Sequence, residues 1–276
     1  MNGAVPAACD VRAVPTPVPL LEATGITKRF GRHTALDAVD LRIEQGRTVS
    51  IVGESGSGKS TLARVLIGLE RADAGTVHFQ GEPVRGRRTR QRFRRSVGMV
   101  FQDPYESIDP RLTIGEVVAE PLRAHGLYGD GGRERVRDLL DSVGMEGVDQ
   151  DAYPHRFSGG QRQRVCIARA LATDPGLVVC DEPTSALDVS VQAQILNLLL
   201  DLQRRRGLAY LFITHDLDVV RRISDEVSVL LRGTVVEHGS AEQITRDPRH
   251  DYTRRLLDAV PAASPRERRI GAAPRP

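Results

Sequence analysis

Residues 48–61 read TVSIVGESGSGKST. The first part is a short apolar run that stops at Gly53, the pattern of a buried parallel strand. Past Lys59, apolar residues at Leu62, Val65, Leu66 and Leu69 recur at i, i+3, i+4 and i+7, one face of a helix. Between them Gly53-Glu54-Ser55-Gly56-Ser57-Gly58-Lys59-Ser60 fits G-x-x-x-x-G-K-[ST]. Strand, glycine loop and helix stand in the order a phosphate cradle requires. The glycines let successive backbone N–H groups wrap the phosphates, with the positive end of the helix behind them. Lys59 is expected to reach the β- and γ-phosphates, and the Ser60 hydroxyl to ligate Mg²⁺. The cradle extends to Thr61. A glycine-rich turn with a solvated lysine is the bland alternative, and the flanking strand and helix argue against it.

Such a loop needs a second, acidic metal ligand, normally at the end of a nearby buried strand. LVVC (177–180) is such a strand, and Asp181 closes it where it meets solvent. Glu182 follows and is placed to polarise a water for attack on the γ-phosphate. An Asp-Glu pair after a strand proves little alone; joined to the glycine loop it reads as metal ligand plus general base. His215 ends the next apolar strand, LFIT, and should share that sheet edge, facing the γ-phosphate. A lone histidine there is more often structural. Gln102 follows VGMVF and offers its amide oxygen to the metal or the attacking water; on its own it would be an ordinary loop residue.

The rest of the chain frames these motifs. Its 276 residues are 40% apolar and 27% charged, enough for one large or two small domains with a substantial core. A net charge of +3 is too mild to imply nucleic acid. No apolar run approaches the roughly 20 residues that span a bilayer. Residues 1–19 lack the basic and apolar regions of a secretory signal and read as a disordered, Pro/Ala-rich lead. Cys9, Cys166 and Cys180 form no CxxC, and the last two read as small buried hydrophobes of a reduced, cytosolic protein. Residues 20–80 are strand-rich, with LDAVDLRI (36–43) in near alternation. From 113 to 156 the chain turns helical and polar, as a separate subdomain would. Helix VQAQILNLLLDLQRRR (191–206), stopped by Gly207, and strand LAYLFITH (208–215) resume the α/β alternation. VSVLLRGTVVEHG (227–239) reads as a hairpin around Arg232-Gly233, and residues 261–276 as a basic, Pro/Ala-rich tail.

GESGSGKST, MVFQDP, FSGGQRQR, LVVCDEPTSALD and FITHD occur in the order and approximate spacing of an ABC-type ATPase domain. The resemblance covers about residues 20–260. It implies a P-loop (RecA-like) core of α/β class with an antiparallel β subdomain and an inserted helical subdomain at about 113–165, which carries SGGQ. Phe30 matches the aromatic that stacks on adenine; otherwise it would be read as core. Ser158, Gly159, Gly160 and Gln161 match the loop that serves the γ-phosphate of a partner subunit's ATP. Two phosphate loops in one chain therefore imply two chains per working unit. Ser185, Ala186, Leu187 and Asp188 match the loop that communicates across that dimer. Phe157 stands where leucine is more usual, a volume-tolerant change.

FQDPYESIDPRLTIGEVVAEPL and RHDYTRRLLDAVP look like the ATPases of dipeptide, oligopeptide and nickel importers, although the family usually has proline at Asp251. That resemblance implies ATP and Mg²⁺, two membrane permeases, a second ATPase (a copy or a paralogue), indirectly an extracytoplasmic solute-binding protein, and a place on the cytoplasmic face of the membrane. It also offers Tyr105, Glu106 and Ile108 as permease contacts. The cysteine cluster of some members is lacking, so no iron–sulfur centre is expected. An alternative is an ATPase-like subunit of the carbon–phosphorus lyase system. A nucleic-acid-linked ATPase rests only on RGRRTRQRFRR (85–95), where Phe93 is the sole aromatic; a solvated face or one near anionic lipid fits that run better.

Overall fold

The computed structural model describes residues 18–259. Residues 1–17 of the expected lead, Cys9 and the tail 261–276 lie outside the described residues. β1 (Leu21–Phe30) and β2 (His33–Ile43) pair antiparallel. In β2, Val39, Leu41 and Ile43 face the core between exposed Asp40 and Arg42, the period-2 pattern of a half-buried strand, and Leu36 joins that face across a register shift at Ala38, whose φ is 48°. β3 (Thr48–Val52) is buried throughout, and α1 (Lys59–Leu66) follows the glycine loop. α1 is shorter than its apolar repeat suggests. Gly68 donates to the Val65 carbonyl and Leu69 to that of Arg64, a cap that ends the helix and turns Leu69 out, 62% exposed.

β4 (Ala74–Phe79) and β5 (Glu82–Pro83) complete a four-stranded antiparallel sheet of order β2-β1-β4-β5. α2 (Arg87–Ser96) holds most of the arginine run. Its one buried side chain, Phe93, meets Phe79 edge-on with ring centroids 5.2 Å apart. β6 (Val97–Val100) leads into the helical insertion: α3 (Pro104–Ser107), α4 (Ile114–Ala124), α5 (Gly132–Ser142) and α6 (Gly159–Leu171). Capping boxes start two of these helices, Thr113 with Glu116 for α4 and Ser158 with Gln161 for α6. α6 runs on to Leu171 without a break near 165. Its Val165, Cys166, Ile167 and Ala168 join one core cluster with Val118 of α4 and Leu140 of α5.

β7 (Leu177–Asp181), α7 (Val189–Arg206), β8 (Ala209–Ile213), α8 (Leu217–Ile223) and β9 (Glu226–Leu231) follow. β9 folds back through Arg232-Gly233 into β10 (Thr234–Ser240), the expected hairpin. α9 (Ala241–Arg246) and α10 (Asp251–Asp258) close the described chain. The second sheet has the order β10-β9-β3-β8-β7-β6, with every neighbouring pair parallel except β10 with β9. Since β3, β8, β7 and β6 are adjacent and run the same way, the glycine loop, His215, Asp181-Glu182 and Gln102 all leave from one carboxyl edge. Among the described residues no helix is long and apolar enough to cross a membrane.

Candidate nucleotide site

Gly53 carries the chain off β3 directly beneath β9. A Cβ there would lie 2.2 Å from the Leu230 carbonyl oxygen, and φ is 156°, so no larger residue fits without moving the strand. Lys59 opens α1 and is buried; its Nζ donates to the carbonyls of Gly53 and Glu54, each at 2.8 Å. Burial holds its ammonium below the usual lysine value, against the pull of Glu182, Asp181 and Glu54. Among the described residues the buried Ser57 hydroxyl has no hydrogen-bond partner. A desolvated cation and an unpaired buried hydroxyl in a glycine loop are what an anionic ligand would satisfy.

The Ser60 hydroxyl donates to Asp181 Oδ1 at 3.3 Å, which joins α1 to the end of β7. Asp181 is 8% exposed; burial first, and the neighbouring Glu182 second, push its carboxyl above the usual range, with Ser60 opposing them. A buried carboxylate and a hydroxyl oxygen are a fitting donor pair for a hard cation such as Mg²⁺. No group of three or more His, Cys, Asp and Glu side chains gathers as a metal site among the described residues. A cation here would be completed by phosphate and water oxygens, the habit of Mg²⁺.

Glu182 takes up a left-handed backbone (φ 46°) before Pro183, its N–H tied to the Ile213 carbonyl at 2.9 Å. For a non-glycine residue this conformation costs about 1–3 kcal/mol and persists where the surroundings over-determine it. It brings the carboxylate between two neighbours. Gln102 Nε2 donates to Oε2 at 3.2 Å, and His215 Nδ1 to Oε1 at 3.1 Å. The three candidate catalytic residues thus form one hydrogen-bonded group. Phe30 is 48% exposed, its ring under Lys28 Nζ at 5.0 Å, so it is a rim residue rather than core. With Ser55, Gly56, Gly58, Lys59, Ser60, Thr61, Gln102, Glu182 and His215 it lines a cleft of about 710 Å³, within the range of small-ligand sites.

Ser158, Gly159, Gly160 and Gln161 do not line that cleft. They lie at the start of α6, where the Ser158 hydroxyl accepts the Gln161 N–H (3.3 Å) and Gln161 Oε1 accepts the Ser158 N–H (2.9 Å). Gly160 comes so close to α7 that a Cβ would meet Val191 at 2.6 Å. The intervening segment connects the two regions. Ser185 Oγ donates to the Glu182 carbonyl at 3.1 Å, Ala186 is exposed, Leu187 packs beside Gly159, and Asp188 caps α7 through the Val191 N–H at 2.9 Å.

One contact, and the lining of a groove that the resemblance implies beside Gln102, were not read from the sequence. Tyr252, on α10, accepts the N–H of Glu54 at 3.0 Å. A second groove, about 330 Å³, lies beside Gln102 and is lined by Arg94, Met99, Phe101, Glu120, Ala124 and His125. Of the residues suggested as permease contacts, Tyr105 (59% exposed) and Glu106 lie at the surface, Tyr105 with the Arg162 guanidinium 4.0 Å from its ring centre. Ile108 is 3% exposed and belongs to the core, so it is withdrawn as a contact. Cys166 and Cys180 are buried free thiols, as expected.

Residues 36–185 match the ABC transporter family. An oligopeptide transport ATP-binding protein, OppD, of Mycobacterium tuberculosis is 48% identical over 251 residues, 90% of this chain and 41% of the relative. A glutathione import ATP-binding protein, GsiA, of Salmonella typhimurium is 48% identical over 264 residues, 94% of this chain and 42% of the relative. The chain therefore spans less than half the length of these relatives. Among solved structures, CbiO1 from Clostridium perfringens, part of the ABC transporter complex CbiONQ, superposes with a TM-score of 0.75 at 29% identity, covering 83% of this chain and 91% of that one. A dimeric ATP-binding cassette, MJ0796, bound to ADP and phosphate, gives 0.71 at 32% identity, covering 80% and 98%.

Proposed function

This chain belongs to the ABC transporter family, and from that premise we propose that it is the ATP-binding and ATP-hydrolysing subunit of an importer for di- or oligopeptides or a related solute. Residues 20–260 are then the ATPase domain, with the helical subdomain at about 113–165. The observation that carries the reading is the convergence of Lys59, the Ser60–Asp181 pair and the Gln102–Glu182–His215 group on one sheet edge. Lys59 and the loop amides bind phosphate, and Phe30 supports the base. Ser60 and Asp181, with the amide oxygen of Gln102, hold Mg²⁺, which when bound offsets phosphate charge. Glu182 accepts the proton of the attacking water, and its hydrogen bonds from His215 and Gln102 fix where that carboxylate stands. His215 also faces the γ-phosphate.

The Ser158–Gln161 loop opens a helix yet stands apart from the chain's own cleft, which suits a role at the ATP of a second ATPase subunit, a copy or a paralogue. Ser185–Asp188, joined to Glu182 on one side and to α7 on the other, would carry the dimer signal. Two permeases would hold the subunit peripherally at the cytoplasmic face of the membrane, seated in the groove of Phe101, Glu120 and His125 beside Gln102; a solute-binding protein would engage them from outside. Nucleic acid is no partner in this reading, since Phe93 is spent on Phe79 and α2 offers no ring for base stacking. The resemblance to peptide and glutathione import ATPases favours transport over the lyase-system alternative.

The test is purification of the Glu182→Gln protein from solubilised membranes with ATP and Mg²⁺. This variant should bind ATP and turn it over at least a hundredfold more slowly, about the loss expected on removing a general base. Two multi-span permeases should accompany it. Recovery of soluble lyase subunits, or of no membrane protein, would remove transport from the reading.

A further inference from the structure

Glu54 is held from two sides. Its carbonyl accepts Lys59 Nζ at 2.8 Å, and its N–H donates to the Tyr252 hydroxyl at 3.0 Å. Lys59 belongs to the glycine loop, whereas Tyr252 comes from the first turn of α10, 198 residues further along the chain. We propose that Tyr252 is a positioning residue of the ATP site: its hydroxyl fixes the Glu54 peptide, so that the amides after it keep their aim at the phosphates. The inference rests on the nucleotide reading of that loop.

The two holds on Glu54 are not equivalent. Lys59 is the cation meant for phosphate, so each contact it makes there competes with the carbonyls of Gly53 and Glu54. The hold through Tyr252 involves neither Lys59 nor any phosphate. It is the one that can stay in place while the lysine changes partners. It is also the only link from α10 into the loop that uses a polar side-chain atom, among the described residues.

Tyr252 is itself well fixed. It is 3% exposed, and its ring shares a cluster with Val52, Val227, Val229 and Ile244. Val52 is the last residue of β3, immediately before Gly53, so the ring packs under the strand that feeds the loop. The start of α10 is clamped by Glu237 of β10, whose Oε1 accepts the Arg249 N–H at 2.8 Å and whose Oε2 accepts the His250 N–H at 3.1 Å. His250 Nδ1 then accepts the N–H of Tyr252 at 3.1 Å. Main chain and ring are both held, which leaves the hydroxyl little freedom to leave Glu54.

The full chain and its Tyr252→Phe and Tyr252→Leu variants separate this role from packing. Equilibrium binding of ATP with Mg²⁺ is read well below every Tm, so that lost stability does not pass for lost affinity. Exchange of the Glu54 amide is followed in parallel. We expect Y252F to raise the Kd for ATP about three- to tenfold, the worth of one hydrogen bond. Its Tm should stay within about 2 °C of wild type, since the ring volume is kept. The Glu54 amide should exchange slowly in wild type and faster in Y252F. Wild-type affinity in Y252F, with only Y252L impaired, would mean that the ring merely packs and would overturn the proposal. So would fast exchange at Glu54 in wild type. Failure of the wild-type chain to bind ATP would instead bring down the nucleotide reading, and the proposal with it.

Discussion

Asp181 bears a charge that its surroundings disfavour. Burial, and then Glu182 beside it, raise its folded pKa above the unfolded value. The folded state therefore binds that proton more tightly, and the ionised carboxylate costs stability progressively as pH rises from the unfolded value through the folded one. At neutral pH the cost is present, and a bound cation would relieve it. Asp181→Asn keeps the shape and an acceptor for Ser60 but removes the charge. In EDTA the variant should melt higher than wild type by a few degrees, while losing the extra stabilisation that Mg²⁺ with ATP gives wild type. A lower Tm in EDTA would mean that the carboxylate is satisfied by the protein alone. The role of the neighbouring Glu182 as general base was legible once its place after a strand was joined to the glycine loop; its left-handed backbone, and the hydrogen bonds from His215 and Gln102 that this permits, were not, since they depend on atoms 33 and 80 positions away.

Elements carry the site by how closely they approach one another. Gly98 lies in β6, the strand that leads to Gln102, and Ala170 lies in α6, the helix that Ser158–Gln161 begins. A Cβ on Gly98 would stand 2.2 Å from the Ala170 carbonyl oxygen, an obstacle of main chain that no rotamer relieves. Gly98→Ala should cost about 2–3 kcal/mol, a fall in Tm of roughly 5–10 °C on thermal unfolding. An unchanged Tm would show that β6 and α6 can part without cost. The Glu237 clamp on α10 makes a second element-scale prediction. Burial would raise that carboxyl, yet the hydrogen bonds of the Arg249 and His250 amides and of Gln243 hold it at about 2. Depressed below its unfolded value, it stabilises the fold fully above that value and loses the effect as pH falls toward about 2. Wild type should therefore exceed Glu237→Gln in urea stability at pH 7, and the gap should close between about pH 4.5 and 2.

What could be read in the sequence follows the same division. Strands buried on both faces are continuous apolar runs, so β3, β7 and β8 and the polar residues that end them were legible. The end of α1 was not, because the apolar repeat continues to Leu69 while the cap at Gly68 stops the helix. Nor was the depth of Ile108, which is set by the helices packed over it. The hold of Tyr252 on Glu54 left only the trace of a tyrosine in RHDYTRRLL, since pattern does not report a contact that long in the chain.

At the scale of the whole molecule, the separation of Ser158–Gln161 from the chain's own cleft makes a composite site between two chains the natural arrangement. Two substitutions can test it in combination. Lys59→Ala removes the cation of the cradle. Gly159→Asp puts an anion where the second loop would meet phosphate, and the helix should accept it: the nearest side-chain atom to a Cβ there is Leu187 at 3.6 Å, and an acid in the first turn suits the helix dipole. Each variant alone should lose ATPase activity, since every site in its dimer is damaged. In an equimolar mixture that pairs at random, about half the dimers are mixed, and each mixed dimer holds one intact cradle facing one intact second loop. About a quarter of the wild-type rate should therefore return if copies of this chain pair with each other. No recovery in the mixture, with wild type active alone, would mean that each site lies within one chain. If instead wild type is inactive alone and gains activity with a paralogue, either Lys59→Ala or Gly159→Asp opposite the wild-type paralogue should leave one site of two intact, and the quarter of the rate becomes half because every pair is then mixed.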